Sequence, residues 1–160
     1  MARKRKSWQE KLADDKGLPK VEKITGKLSQ RWGTGTVVIP APREVDAAMR
    51  TIRRGKLTTI DLIRTALAES HQATIACPIT TGIFAWIAAH AADESEVEGK
   101  KRITPYWRTL KSGGELNPKY PGGIENLKAR LAAEGHTIVQ KGKRFVVAGY
   151  ESKAVRPKLG

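Results

Sequence analysis

The sequence predicts a mostly α-helical fold with a small β-hairpin. Three segments of the central region carry apolar residues three or four positions apart, and each begins at a proline or threonine suited to a first helical turn. Near the C-terminus, HTIVQKGKRFVVAGY alternates around Lys141-Gly142, which is typical of a hairpin. With 39% hydrophobic residues among 160, the chain can build a core.

The predicted helices follow one another along the chain. SWQEKLADD has Ser7 and Glu10 at the spacing of a capping box. PREVDAAMRTIRRG, TTIDLIRTALAESH and CPITTGIFAWIAAHAADE follow, residues 93–102 form an exposed charged connection, and IENLKARLAAEG ends at Gly135. Two helices joined by a short connection, the second with small polar residues at its start, favour a helix-turn-helix unit.

Charge divides the chain into a domain with basic ends. Residues 1–41 carry ten Lys/Arg and four acidic residues, net +6, and are predicted to be a basic arm. Within it, RWGTGTVVIPAP is predicted to be a loop and an extended connection. The compact domain is predicted at residues 42–150, followed by a loose basic tail at 151–160.

The formal net charge of +14, from 30 Lys/Arg against 16 Asp/Glu, indicates a nucleic-acid-binding protein. The excess continues through the middle of the chain, and aromatic residues lie within basic stretches. The alternative is a generally basic protein, or one with basic tails only.

Several functional classes are not expected. The sequence lacks a run of 18 apolar residues, and MARKRKSW has no apolar stretch behind its basic start, so neither a membrane span nor a secretory signal is predicted. The single Cys77 excludes an internal disulfide and fits a reducing cytoplasm. We predict no metal and no cofactor, because the cysteine and the three histidines are scattered: His71, His90 and His136.

Three stretches form an ordered set of motifs: MRTIRRGKLTTIDLI, TPYWRTLKSGG and YPGGIENLKARLAAEG. They are similar to the IPxGKVTTYGxIA, PCHRV and YxGGxxxKxxLLxxEG segments of the methylated-DNA–protein-cysteine methyltransferases and their alkyltransferase-like relatives. The chain from about Val45 to Thr137 thus resembles the DNA-binding C-terminal domain of that family. The resemblance implies a winged helix-turn-helix-like domain that binds double-stranded DNA, and we expect a monomer.

The resemblance fails at the family's reactive position. The family's cysteine accepts the alkyl group and its neighbouring histidine activates it, whereas here Tyr106 and Trp107 stand at those positions between Pro105 and Arg108. A phenol with an ordinary pKa near 10 is a poor methyl acceptor. The alkyltransferase-like branch also lacks the cysteine and binds alkylated guanine without repairing it, so we expect no enzymatic activity. The alternative is that Tyr106 and Trp107 are core aromatics of a decayed site.

Two residues that the family uses for base flipping are also replaced. Ile60 stands where the family has the tyrosine of TTYG, and Ile79 stands at the arginine of RAVG when the sequences are aligned on Gly82. Flipping a base requires loss of its stacking, so this protein must obtain that free energy elsewhere or leave the base in place. Either Ile79 or Phe84 could act as an apolar wedge, although both are also typical core residues.

The resemblance and local chemistry together indicate candidate site residues. Threonines at helix starts can offer N–H groups and hydroxyls to phosphates, although they can also act only as N-caps. Basic residues can neutralise phosphates, although they can also form only a solvated helix end. The arginine aligned with Arg108 chiefly supports the site in the family. The predicted DNA-binding residues are Arg53, Arg54, Lys56, Thr58, Thr59, Thr80 and Thr81. The predicted residues of a pocket for an extruded base are Tyr106, Trp107, Arg108, Lys111 and Ser112.

Three functional hypotheses follow. The first is a non-enzymatic, alkyltransferase-like DNA-binding protein that senses alkylated guanine and signals it to repair proteins. The second is a general DNA- or RNA-binding protein, associated with the nucleoid or ribosome, on the same fold. The third is an active methyltransferase that uses Cys77, which precedes Pro78 at a helix start where the helix dipole lowers a thiol pKa. Against the third, free cysteines are commonly buried.

Overall fold

A computed structural model describes residues 5–159, so Arg3 and Lys4 of the predicted arm lie outside the described residues. Short 3₁₀ turns occur at Tyr106–Arg108, Ser112–Gly114 and Tyr150–Ser152. The α-helices are α1 Trp8–Ala13, α2 Leu28–Trp32, α3 Pro42–Arg50, α4 Ile60–Ser70, α5 Pro78–Val97 and α6 Gly123–Ala133. The strands are β1 Lys20–Lys23, β2 Thr36–Ile39, β3 Thr58–Thr59, β4 Ile75–Ala76, β5 Thr109–Leu110, β6 Ile138–Lys141 and β7 Arg144–Val147.

Helix α5 is the centre of the core, and α1, α3 and α4 pack around it. Its buried face is rich in alanine, including Ala85, Ala88 and Ala89, which are fully shielded from solvent. Small side chains let neighbouring helices approach closely, and larger residues such as Met49 of α3 and Leu67 of α4 fill the space between them. The helix thus acts as the scaffold on which the other elements are placed.

The helix starts show the predicted capping. Ser7 Oγ accepts a hydrogen bond from the Glu10 backbone at 3.1 Å, and Thr59 Oγ1 accepts one from the Leu62 backbone at 3.2 Å. Helix α5 continues to Val97, past residue 93, where an exposed connection was predicted. Residues 93–97 are not an isolated charged segment, because Glu94 Oε1 accepts the Gln9 backbone N–H of α1 at 2.9 Å.

Three small sheets complete the mixed architecture. Strand β2 pairs antiparallel with β1 and parallel with β4, while β3 and β5 pair in parallel. The predicted hairpin is confirmed: β6 and β7 pair antiparallel with Ile138 opposite Val147, and Gly142 has a positive φ in its turn. Helices α4 and α5 are joined by residues 71–77, longer than the helix-turn-helix connection of about three to four residues, so that unit and its wing remain predictions.

The N-terminal segment contacts the domain instead of extending from it as an arm. The Trp8 ring of α1 lies edge-on to Trp86 at 4.7 Å and stacks on His90 at 4.5 Å, both on α5. Within the stretch predicted as a loop, β2 buries Val37 and Val38. The basic composition concealed this packing because a few apolar side chains suffice to attach a short helix. The domain boundary at residue 42 stays a prediction.

The C-terminal tail is also held, contrary to the expectation of a loose end. Backbone hydrogen bonds join the Leu57 N–H to the Lys153 carbonyl at 3.0 Å and the Val155 N–H to the Leu57 carbonyl at 2.7 Å. The Arg156 guanidinium forms an ion pair with Glu69 of α4. The backbone N–H and carbonyl of Leu57, beside β3, find their partners in the tail, and the polar composition of the tail does not indicate this pairing.

Within residues 5–159, the helices are all too short or too polar to cross a bilayer. The same residues contain no group of three or more His, Cys, Asp or Glu side chains placed to hold a metal ion.

Replacing Trp8 by alanine tests the attachment of α1. We expect the free energy of unfolding to fall by about 2 kcal/mol, less than for a fully buried aromatic residue because the indole is partly exposed. Urea unfolding measures the change. Leu28→Ala on α2 is the control, because Leu28 is 43% exposed and its truncation should cost no more than about 0.5 kcal/mol. Equal losses in both variants would contradict the packing described.

Candidate nucleic-acid interface

Tyr106, at the family's acceptor position, is fully buried. It lies in the 3₁₀ turn that precedes β5, and its hydroxyl accepts a hydrogen bond from Asn126 Nδ2 of α6 at 3.0 Å. Burial raises the pKa of Tyr106, although the Arg130 guanidinium and the Asn126 amide act in the opposite direction. The phenol is therefore neutral and enclosed, which removes both the charge and the access that a nucleophile needs.

Trp107 and Arg108 form a largely buried polar cluster with Glu134, the residue that directly follows α6. Trp107 Nε1 donates to Glu134 Oε2 at 2.8 Å, and Arg108 donates to the same carboxylate through Nε and Nη2 at 2.9 and 2.8 Å. The Gly55 backbone N–H donates to Glu134 Oε1 at 3.1 Å, and Arg108 Nη1 reaches the Ile52 carbonyl at 2.7 Å. The cluster ties the PYWR turn and the loop at 51–57 to the end of α6.

The charge state of Glu134 follows from these contacts. Burial would raise its pKa, but hydrogen bonds from Arg108, Trp107 and Gly55 outweigh burial and hold the pKa below the ordinary value of 4.5. The pKa of the neighbouring His136 is also lowered, because burial disfavours the charged form of its ring. A charged carboxylate held by donors stabilises the fold and is not poised to take up a proton near neutral pH.

Cys77 lies apart from this turn. Its side chain is buried with Ile24 and Val37 in a small secondary cluster, whereas Tyr106 belongs to the main core. Its backbone N–H donates to the Val38 carbonyl at 2.9 Å, which joins the start of α5 to β2.

The predicted DNA-binding threonines are mostly inside the protein. Thr58 and Thr59 form β3 and are buried, so they do not occupy the surface position predicted for contacts to phosphates. Thr81 is also buried, and its hydroxyl donates to the Cys77 carbonyl at 2.6 Å. Thr80 is partly exposed, with a buried hydroxyl that has no partner within the described residues. The helix-start pattern that indicates a phosphate site equally indicates an N-cap, and Thr59 takes the latter role.

The basic residues before β3 are on the surface. Arg53, Arg54 and Lys56 are exposed, and Arg54 Nη2 donates to the Ala133 carbonyl at the C-terminal end of α6 at 3.0 Å. That contact places one cation at the negative end of a helix dipole. The loop thus presents positive charge while the Glu134 cluster anchors its backbone.

Lys111 and Ser112 separate from the rest of the predicted base pocket. Both are exposed beyond β5, where Ser112 Oγ donates to Asp61 Oδ2 of α4 at 2.7 Å and Lys111 Nζ lies 3.9 Å from Glu115. Tyr106, Trp107 and Arg108 face the interior around α6. The five predicted pocket residues are neighbours in the sequence, but in the structure they do not line one open cavity.

A surface groove lies beside Lys111, between the first half of α5 and the loop at residues 111–119. Its volume is about 480 Å³. Trp86 Nε1 donates to the Lys119 carbonyl at 3.2 Å, which holds the loop against the helix. The lining residues are Ile79, Gly82, Ile83 and Trp86 on the helix, with Lys111, Asn117, Pro118 and Lys119 on the loop.

The groove has an apolar wall and a basic rim. Ile79 is 59% exposed and Ile83 is 45% exposed, whereas Phe84 is buried in the core. Of the two wedge residues considered from the sequence, the structure thus leaves only Ile79 accessible. The sequence analysis did not select Ile83 as a surface residue, although its position four residues after Ile79 puts both side chains on one helix face. Such a surface can take up a flat apolar group beside an anion.

Replacing Glu134 by glutamine tests the buried cluster. The substitution leaves the Arg108 guanidinium buried without its counter-charge, so we expect a loss of about 3 kcal/mol in the free energy of unfolding at pH 7. Because folding lowers the pKa of Glu134, its contribution is present above pH 4.5 and disappears as the pH falls through the lower folded value.

Urea unfolding of wild type and Glu134→Gln between pH 7 and pH 3 measures this difference, which should shrink in acid. Glu125→Gln is the matched control on α6, since that carboxylate is 87% exposed and pairs with Lys128 only at 3.8 Å. A difference that does not change with pH would rule out this role for the Glu134 charge.

Comparison with known proteins gives one informative similarity. No family model matches the chain, and no curated protein matches it. Among solved structures, the chain is similar to S. pombe Atl1, crystallised in complex with damaged DNA containing O6-carboxymethylguanine. The TM-score is 0.51 at 20% identity, over 72% of this chain and 94% of the Atl1 chain. At that identity the similarity concerns the fold alone, so we conclude that the chain shares the fold of S. pombe Atl1, the fold family that the three motifs indicate.

Proposed function

We propose that this protein binds double-stranded DNA at damaged sites without altering it chemically, and that alkylated guanine is the lesion it senses. The observation that carries the proposal is the state of Tyr106. The PYWR turn of this chain aligns with the PCHR turn of the family. A neutral, buried phenol therefore occupies the position of the sulfur nucleophile. The turn then serves stability, and binding without reaction is the function that we propose for the fold.

Surface charge supports the choice of nucleic acid as the partner. The net charge of +14 attracts a phosphate backbone over a distance set by the salt concentration. The fold is shared with a protein crystallised on damaged DNA. The exposed basic residues of the loop at 51–57, and the two lysines at the rim of the apolar groove, offer positive charge to phosphates. These features suit a DNA duplex better than a neutral protein partner.

Burial of the predicted pocket favours an alternative. Because Tyr106 is enclosed and Trp107 and Arg108 are engaged by Glu134, an extruded base cannot reach them without a local opening of the protein. A general DNA- or RNA-binding protein, associated with the nucleoid or ribosome, requires no such pocket. This alternative predicts equal affinity for intact and damaged duplexes.

The third hypothesis, methyl transfer to Cys77, has the least support. The thiol is buried between Ile24 and Val37, and the carboxylate of Glu134 is committed to Arg108 and Trp107. A buried thiol lacks the access that an alkylated base needs to reach it. Under the main proposal the protein is a cytoplasmic, nucleoid-associated monomer that signals damage to repair proteins.

Intact-mass measurement tests the absence of chemistry. After incubation with an oligonucleotide duplex containing O6-methylguanine, we expect no increase in protein mass, because both Tyr106 and Cys77 are buried. A methyltransferase of known activity is the positive control. A methyl adduct that disappears in Cys77→Ser would establish the third hypothesis in place of the first.

Affinity at fixed salt separates lesion sensing from general binding. We expect tighter binding to the duplex with O6-methylguanine than to the same duplex with guanine, by about tenfold, the order of discrimination that one good base contact provides. Titrations at several salt concentrations give the number of phosphates neutralised from the slope. Equal affinities with a steep slope would favour the general binder.

A further inference from the structure

We propose that this protein has a second binding site, separate from the groove beside Lys111, which takes a small phosphate monoester. The site is a pocket of about 290 Å³ between α1, α3 and the end of α5. Helix α1, which forms one wall, precedes the region that resembles the family. The inference is independent of the proposed DNA binding, because it concerns a different surface and a different ligand.

The pocket and the groove open on nearly opposite sides of α5. Ala92 of the pocket wall is nine residues after Ile83 of the groove wall, which is about two and a half turns of the helix. A ligand in the pocket therefore does not lie against the exposed isoleucines, and a duplex in the groove leaves the pocket uncovered.

Three cationic side chains converge on the pocket. Arg43 and Arg50 lie on one face of α3, seven residues apart, and Lys100 follows the end of α5. Among the described residues, the lining contains a single carboxylate, that of Asp46, so three cations against one anion leave a formal charge of +2. Like charges gathered in a concave surface repel one another, and a bound anion relieves that repulsion.

The Asp46 carboxylate positions one of these cations. Asp46 Oδ1 accepts a hydrogen bond from Thr104 Oγ1 at 2.6 Å, and Oδ2 accepts one from Arg50 Nε at 2.9 Å. Thr104 is only 1% exposed, so this arrangement is anchored in the core. Within residues 5–159 the two Nη groups of Arg50 have no hydrogen-bond partner, and a guanidinium can bind an oxyanion through two parallel N–H bonds.

Two further donors are available at the pocket. Ser95 Oγ accepts a hydrogen bond from Gln9 Nε2 at 3.2 Å, which leaves the hydroxyl proton of Ser95 free to be donated to a ligand. Arg43 is only loosely engaged, since its Nη2 lies 3.5 Å from the Ala13 carbonyl and its Nε lies 3.9 Å from Asp15. Both side chains can thus turn toward an anion without loss of a strong contact.

A phosphate monoester matches the pocket in charge and in size. Its second pKa is near 6, so it carries nearly two negative charges at pH 7.5 and balances the lining. Leu12, Ala91 and Ala92 form an apolar part of the wall, against which the carbon part of an ester can lie. A volume of about 290 Å³ is at the lower end of the range for ligand pockets, which restricts the ligand to a small ester.

Carboxylates around the pocket disfavour a long polyanion. Asp15 lies near Arg43, and both Glu94 and Glu98 accept hydrogen bonds from Gln9. A DNA backbone or an acidic peptide that crossed the pocket would meet these carboxylates at close range, whereas a small ester stays between the cations.

Calorimetric titration of the full chain with phenyl phosphate, at pH 7.5 and constant ionic strength, tests the site. We expect saturable binding of one ligand per chain. Thermal unfolding in the same buffer is an independent measurement, and the Tm should rise by at least about 5 °C when the ligand is present at one hundred times its Kd.

Inorganic phosphate is the second ligand to be titrated. It should bind about tenfold more weakly than phenyl phosphate, because it lacks a carbon part that can bury apolar surface. Equal affinities would overturn the assignment to an ester and identify free phosphate as the ligand.

Two double variants localise the binding. Arg43→Gln/Lys100→Gln removes two of the three cations and keeps the contact between Arg50 and Asp46, so the fold should persist. We expect its affinity for phenyl phosphate to fall at least about tenfold, as for the loss of charge-assisted contacts. Lys101→Gln/Arg102→Gln is the matched control, because it changes the net charge equally at exposed residues outside the lining, and it should bind as wild type does.

Two results would overturn the site. One is the absence of both heat and a Tm increase with wild type, and the other is an equal loss of affinity in the two double variants, which would indicate general attraction to the net charge of +14.

Binding of the O6-methylguanine duplex by the same variants separates this site from the proposed function. Arg43→Gln/Lys100→Gln should bind the duplex as the control variant does. A selective loss of duplex affinity would assign these cations to DNA and overturn the phosphate monoester site. If wild type binds phenyl phosphate but no duplex, the site stands while the proposed function fails.

Discussion

The hydrogen-bonded ion pair between Arg108 and Glu134 is the interaction on which the candidate site depends. One carboxylate takes donors from Arg108, Trp107 and Gly55, and thereby joins the PYWR turn and the basic loop to the end of α6. A buried charge that lost these donors would be strongly destabilising, so the three segments are held as one unit. The positions of Tyr106 and of the surface cations follow from that constraint.

The same contacts determine the charge state of the Glu134 carboxylate. In a site for acyl or alkyl transfer, a carboxylate near a base helps to move a proton. Here Glu134 is saturated by donors from an arginine and an indole, and its lowered pKa keeps it charged. Tyr106 completes the change because a buried phenol fills the interior without becoming ionised. Glu134 thus serves charge pairing, and Tyr106 serves packing.

Helix α5 has a buried face that packs in the core and an exposed apolar surface in its first turns. Its buried alanine face lets α1, α3 and α4 pack closely, while its first turns expose Ile79 and Ile83 beside an open glycine. The packed core thus lies directly behind this exposed apolar surface. The residues of the loop opposite are fixed to that helix by the Trp86 contact with the Lys119 carbonyl.

The sequence by itself determined most of the helices and the hairpin, because local periodicity and side-chain hydrogen bonds specify them, although it did not indicate α2 or the full length of α5. Ser7 caps α1 as predicted, and of the two candidate threonines Thr59 caps α4. The sequence also placed Tyr106 at the acceptor position. Only the tertiary structure decided that Tyr106 is enclosed, that the N-terminal helix and C-terminal tail pack on the domain, and that Ile79 stays exposed while Phe84 does not. Burial depends on partners distant in sequence, and neither composition nor spacing specifies which face of a helix they cover.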